Sequence, residues 1–208
     1  MGIFLPKTYR MHPDLCKVVS NQVYDNRLIA AEVTNKHIID IPPAIIPRKH
    51  GIHFIPVFHE GNTQGSEEEV EIIKDLSEKL INIPYWSDDA QYDTRKIIWS
   101  DILFVAPYNY QVNLLRNALH SDARIGSVDK FQGQEAPIVI VSMCASNASE
   151  SPRGIEFLFS KNRLNVAISR AQSLAIVVGS PNLVTTPVNN LKQMELVNFY
   201  AEIVKSGS

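Results

Sequence analysis

The sequence predicts an α/β fold, with a mainly parallel sheet and helices on both faces. Short apolar runs recur along the chain, and amphipathic helical segments lie between them. The runs at 102–106, 138–141 and 174–178 are continuous rather than alternating, as strands covered on both faces require.

The elements follow in order. Pro13 suits the first turn of a helix whose Leu15, Val18, Val19 and Val23 share one side. Residues 38–49, rich in Pro and Ile, read as an extended connector. Residues 52–58 are β-rich, and Pro56 places that strand at an edge or at its end. Ser66 with Glu69 forms a capping box, and Val70, Ile73, Leu76 and Leu80 keep one helical face apolar. Residues 85–95 are polar and aromatic, a long loop before the strand at 102–106. Val112, Leu115 and Leu119 mark the next helix, 124–128 is a short strand, and a last helix covers about 190–204. With 208 residues and no internal repeat, the chain reads as one domain, 1–208.

A content of 45% hydrophobic and 20% charged residues fits a soluble globular protein with a sizeable core. The net charge of -2 gives no overall basic field, so contact with nucleic acid needs a local patch or a partner domain. Two distant cysteines, Cys16 and Cys144, argue against a disulfide scaffold or structural zinc, and the six histidines show no metal-binding spacing, so no metal site is expected. No apolar run reaches the roughly 20 residues that span a bilayer, so no membrane partner is expected and the cytoplasm is the simplest compartment.

Four segments carry chemistry. In Thr8-Tyr9-Arg10-Met11-His12-Pro13, Tyr9 can stack on a base and Arg10 can fork onto a phosphate; a packed Tyr and a solvated Arg are the alternative. Ala106-Pro107-Tyr108-Asn109-Tyr110-Gln111 follows a buried strand, where ligands of parallel sheets gather, although Pro and Asn also serve turns. In 127–135, Gly133 permits close backbone approach and Glu135 can accept hydrogen bonds from ribose hydroxyls. Lys130 and Gln132 reach in opposite directions around an anchoring Phe131. In 163–171, seven helical steps of about 100° bring Arg170 to within roughly 20° of Arg163 on a largely apolar helix. An arginine on such a helix needs an anion, either a structural carboxylate or a γ-phosphate.

Together, in this order, the segments resemble the second, C-terminal RecA-like domain of superfamily 1 helicases, in the branch of the nonsense-mediated-decay RNA helicase and the replication nuclease-helicase. Tyr9 to Pro13 is similar to that branch's Q-Y-R-M-H-P element, Val105 to Tyr108 with Gln111 to motif IV, Val128 to Glu135 to motif V, and Leu164 to Ala171 to motif VI. The resemblance covers 8–179 and implies a three-layer RecA-like domain in an ATP-dependent helicase or translocase. It implies Tyr9 on adenine, Arg10 and Arg170 on the γ-phosphate with Arg170 as arginine finger, and Gln132, Gly133 and Glu135 on the phosphate and ribose side. Pro107, Tyr108, Ser127 and Lys130 would face single-stranded DNA or RNA, and the role of Arg163 is left open, a structural ion pair being one reading. Thr8 stands where the family usually has Gln, and Ala136-Pro137 replaces its polar-Asp pair.

No Gly-Lys dipeptide and no Asp-Glu pair occur, so Walker A and the magnesium-holding Walker B are missing. ATP with Mg2+ is therefore expected in a site completed by an N-terminal RecA-like domain, and the chain reads as a C-terminal portion that is inactive alone. The competing readings are a non-catalytic RecA-like interaction module, which would have no need of Arg170 and Glu135, and a Rossmann-type enzyme, which lacks G-x-G-x-x-G.

Overall fold

A computed structural model describes residues 5–86, 94–131 and 133–208. The strands among them are β1 (Lys7–Thr8), β2 (Ile29–Ala30), β3 (Ile38–Ile39), β4 (Gly51–Pro56), β5 (Pro84–Trp86), β6 (Arg95–Lys96), β7 (Ile102–Val105), β8 (Arg124–Gly126), β9 (Ala136–Ser142) and β10 (Ala171–Gly179). The helices are α1 (Pro13–Val23), α2 (Glu67–Leu80), α3 (Asn109–Ala118), α4 (Ile155–Leu158), α5 (Lys161–Ile168) and α6 (Leu191–Gly207). Five strands form a central sheet in the order β4-β10-β9-β7-β8, and every neighbouring pair is parallel.

The strands alternate between two cores, as their period of two requires. Leu103, Val105, Val139, Val141, Ala175 and Val177 face one core, filled from outside by α1, α4, α5 and α6. Ile102, Phe104, Ile138, Ile140, Leu174, Ile176 and Val178 face the other, filled by α2 and α3. The expected layers of helix, parallel sheet and helix are therefore present. No helix among the described residues is long and apolar enough to cross a membrane.

Two stretches differ from the sequence reading. The extended connector opens with β3, and the loop at 85–95 begins and ends in β5 and β6; residues 87–93 lie outside the described part. These three strands form a small antiparallel sheet that places Ile39 and Tyr85 in the second core. Backbone pairing at its borders and a few buried anchors make these short strands, too short for a periodic signal.

The capping box is half right. Ser66 Oγ accepts from the Glu69 N–H at 3.1 Å, as an N-cap should, but the Glu69 side chain does not return to Ser66. The Gln111 side chain takes the Ser66 N–H instead, at 2.8 Å. Fully buried Glu69 accepts from Ser142 Oγ at 2.6 Å, from the Cys144 N–H at 3.0 Å and faces His59 Nε2 at 3.0 Å. A carboxylate cannot donate, so His59 Nε2 carries the proton. Cys144 sits at φ 52, a left-handed conformation unusual outside glycine, and its N–H is held by both Glu69 oxygens. The carboxylate thus fastens the loops after β4 and β9 to the start of α2.

Removing Glu69 strands several buried donors at once. Glu69→Ala is expected to cost about 3 kcal/mol or more, read in a thermal melt as a Tm lower by roughly 6–12 °C. A variant that melts within about 1 °C of the wild type would show that the network is not structural.

Candidate functional site

The residues singled out by the sequence fall at opposite ends of the central sheet. At the amino ends of β9 and β10, Glu135 immediately precedes β9 and Arg170 immediately precedes β10. The turn before α1 is docked beside them, because the His12 N–H donates to the Gln172 carbonyl at 2.7 Å. That contact brings Arg10 over the strand ends. Its Nε donates to Glu135 Oε2 and its Nη1 to the Ser169 carbonyl at 3.3 Å. The Arg10 carbonyl accepts from His37 Nδ1 at 2.9 Å, and its N–H donates to Thr8 Oγ1 at 3.3 Å. Gln172 Nε2 donates to the other Glu135 oxygen at 3.0 Å.

Arg10 is paired with the Glu135 carboxylate, and Arg170 lies near enough to feel the charge of both. Partial burial pushes the Glu135 carboxyl up, but hydrogen bonds from Arg10 and Gln172, and the charge of Arg10, outweigh it and hold the group below the usual carboxylate range. Arg170 is pushed down, first by burial, then by the like charge of Arg10, against the pull of Glu135. Its buried Nε has no hydrogen-bond partner among the described residues. An unpaired guanidinium N–H beside a second cation is costly unless an anion reaches it. These residues therefore fit a phosphate group.

Tyr9 stands next to them with 69% of its surface exposed and Lys7 Nζ 5.7 Å from its ring centroid. Its free aromatic face is available to a base. Gly133 adopts φ +79, and a Cβ there would meet nothing within 4 Å. The glycine is thus needed for the turn into β9. Gln132 lies outside the described residues.

The other candidates sit at the carboxyl ends of β7 and β8. Pro107 and Ser127 are half-buried and line one narrow cleft with Arg163 and Phe157. Tyr108 is buried, with its hydroxyl on Ser151 Oγ and its ring 5.2 Å from Phe157. Lys130 folds over Gly126 and donates to the Ile125 carbonyl at 2.9 Å. In this conformation the Tyr108 ring is buried, whereas Lys130 is an exposed residue whose ammonium is engaged by a backbone carbonyl.

The helical pairing of Arg163 with Arg170 does not hold. α5 ends at Ile168, Ser169 is its C-cap, and Arg170 leads straight into β10. The repeat of seven assumed a helix that tight coupling to the strand cuts short. Arg163 lies at the other end, 3.5 Å from Asp129 and 4.4 Å over the Phe157 ring.

Among the described residues, one group of side chains has the donor types for a metal: His12, Asp14 and His50. The two imidazoles stack at 3.9 Å and 20°. A metal must lie near the plane of each ring it binds, and nearly parallel stacked rings offer no common position. His12 is pushed down to about 4, chiefly by burial. The trio is a stacked pair with an ion contact.

Sequence reasoning missed Gln172, Tyr85, Glu69 and His59. A lone Gln at the start of an apolar strand was the signal available for Gln172. His59 had none, since its partners Glu69 and Ser146 are 10 and 87 residues away.

Residues 2–182 match the model of the AAA domain family AAA_12. The chain is 32% identical over 197 residues to the DNA polymerase alpha-associated DNA helicase A of Schizosaccharomyces pombe, covering 87% of the chain and 28% of that protein. It is 28% identical over 209 residues to the DNA-binding protein SMUBP-2 of Rattus norvegicus, covering 93% of the chain and 19% of the relative. Over 91 residues it is 43% identical to the RNA helicase Mov10l1 of Homo sapiens, covering 40% of the chain and 8% of that protein. The chain thus spans less than a third of the length of each. A solved structure described as the C-terminal domain of a possible DNA helicase from Lactobacillus plantarum aligns with 86% of the chain and 91% of its own, at TM-score 0.44 and 15% identity.

The Arg10–Glu135 pair is partly exposed, 31% and 43%, so it is worth less than about 1 kcal/mol. Because the native Glu135 carboxyl is depressed, that contribution is complete above the unfolded value and disappears as pH falls from about 4.3 through the native one. Glu135→Gln is expected to lower Tm by about 1–3 °C at pH 7 and by less near pH 3. A deficit equal at both pH values would contradict the charge pairing.

Proposed function

Since the chain belongs to the AAA domain family, as the C-terminal domain of a superfamily 1 helicase, we propose that it is the second motor half of an ATP-dependent nucleic-acid helicase or translocase. The observation that carries this reading is the pair Arg10 and Arg170 at the amino ends of β9 and β10, where Glu135 is bonded to Arg10 alone of the two and a buried Arg170 N–H is left unpartnered.

ATP with Mg2+, its magnesium ligands on an N-terminal RecA-like domain, would supply the phosphoanhydride whose cleavage drives the motor. Arg170 is the arginine finger, neutralising charge that develops on the transferred phosphoryl group. Arg10 joins it when it leaves Glu135. The exposed Tyr9 ring stacks on the base, and Glu135 accepts from a ribose hydroxyl. The turn at Gly133 carries backbone toward the same face, and Gln132 is assigned there by its place in the motif.

At the opposite edge, the backbone around Pro107 and Ser127 faces single-stranded DNA or RNA. Tyr108 supports that turn from beneath, and Lys130 reaches the strand by releasing the Ile125 carbonyl. α5 spans the two edges, joining Arg163 beside Ser127 to Arg170 at the phosphate side, which offers a rigid path between strand and nucleotide. Domain closure and reopening then move the strand.

In a motor that joins this chain to an N-terminal RecA-like domain, Arg170→Ala should lower ATP turnover by about 10³-fold and leave strand affinity within about twofold. Unchanged turnover would remove the finger assignment. The 208-residue chain alone should show no magnesium-dependent hydrolysis; clear turnover by it would contradict the half-site.

A further inference from the structure

The strand β10 carries an irregularity beside the candidate nucleotide face. Ala171 pairs with Ala136 and Leu174 with Ile138, so three steps on β10 oppose two on β9. The extra residue is a β-bulge, and it lies opposite Pro137, which has no N–H to give the ladder. Such bulges re-aim side chains, and Gln172 is the residue re-aimed. Ser173 turns away, its hydroxyl on the Lys49 carbonyl at 3.1 Å.

The Gln172 amide is fixed at both ends. The Tyr85 hydroxyl donates to Gln172 Oε1 at 2.9 Å, and Gln172 Nε2 donates to Glu135 Oε1 at 3.0 Å. Tyr85 is wholly buried, and Arg95 lies 5.1 Å over its ring. A flipped amide would set its oxygen against the carboxylate, so this orientation is favoured. Glu135 Oε2 receives Arg10, and Oε1 receives Gln172. The same Gln172 holds the turn carrying Arg10 through its carbonyl.

We propose that Gln172, oriented by Tyr85, is a positioning residue that keeps the Glu135 carboxylate aimed at the ribose when Arg10 leaves it for phosphate. The assignment rests on the proposed function above. Without Gln172, a carboxylate deserted by Arg10 has no other side-chain donor among the described contacts and swings toward solvent. With it, Oε1 stays occupied and Oε2 becomes the one open acceptor. Tyr85 belongs to β5, so the small antiparallel sheet supports the nucleotide face through this hydroxyl.

The test uses two variants. Gln172→Met keeps the length and removes the donor; Tyr85→Phe keeps the ring and removes the hydroxyl that sets the amide. On the 208-residue chain, NMR titration should show the Glu135 carboxyl pKa raised in Gln172→Met and raised less in Tyr85→Phe. In the two-domain motor, Gln172→Met should raise KM for ATP roughly fivefold with kcat changed less than about twofold. With 2′,3′-dideoxy-ATP, which offers Glu135 no hydroxyl, variant and wild type should converge. A merely structural Gln172 would produce the same defect with both nucleotides, and that result overturns the proposal. Should Gln172→Met fold poorly, Tyr85→Phe must show the same ribose-dependent defect, smaller in size. A Glu135→Ala defect without a Gln172→Met defect overturns the positioning role and leaves the motor reading intact; a wild-type motor with no ATP turnover overturns both.

Discussion

The central strands β9 and β10 are apolar and covered on both faces, and this constraint organises the rest of the molecule. Fully burying each Val, Ile or Leu contributes about 1.5–3 kcal/mol, whereas an unpaired polar group there costs a similar amount. Polar side chains are therefore driven to the strand ends. At the carboxyl ends they are tied down, around Glu69. At the amino ends they are left partly free, around Glu135 and Arg170.

That asymmetry suits a domain that completes a site elsewhere. The Glu69 carboxylate has donors on every side and is closed to solvent. It can hold the loops after β4 and β9 rigid, including the left-handed Cys144, but it has no capacity left for a ligand. The amino-end group has the opposite balance. Two arginines lie around one carboxylate that bonds only Arg10 of the two, an aromatic ring stands exposed, and an Arg170 N–H is unused. α5 connects the two edges with eight residues, short enough to move as a rigid rod.

Much of this was legible in the sequence because the physics is local. Continuous apolar runs gave the buried strands, the spacing of Val70, Ile73, Leu76 and Leu80 gave α2, and Ser66 marked its start. The motif order placed Arg10, Glu135 and Arg170 on one face, although they are far apart along the chain. The failures came where partners are distant or a period is interrupted. Glu69 matched a capping box and serves β9 instead. Arg163 and Arg170 matched a helical repeat, but the chain leaves the helix between them. The contacts of Tyr108 with Ser151 and of the exposed Lys130 with the Ile125 carbonyl likewise have no local signal. Gln172 acquires its direction from a bulge opposite Pro137, which neither residue shows alone.

The central claim is that Arg10 and Arg170 await a phosphate that another domain presents. It is tested most directly by a crystal structure of the two-domain motor with ADP and aluminium fluoride, a mimic of the transferring phosphoryl group. The account predicts Arg10 detached from Glu135, with both guanidiniums on the fluoride and the Arg170 Nε paired. Arg10 still bound to Glu135, with Arg170 turned away from the fluoride, would contradict it.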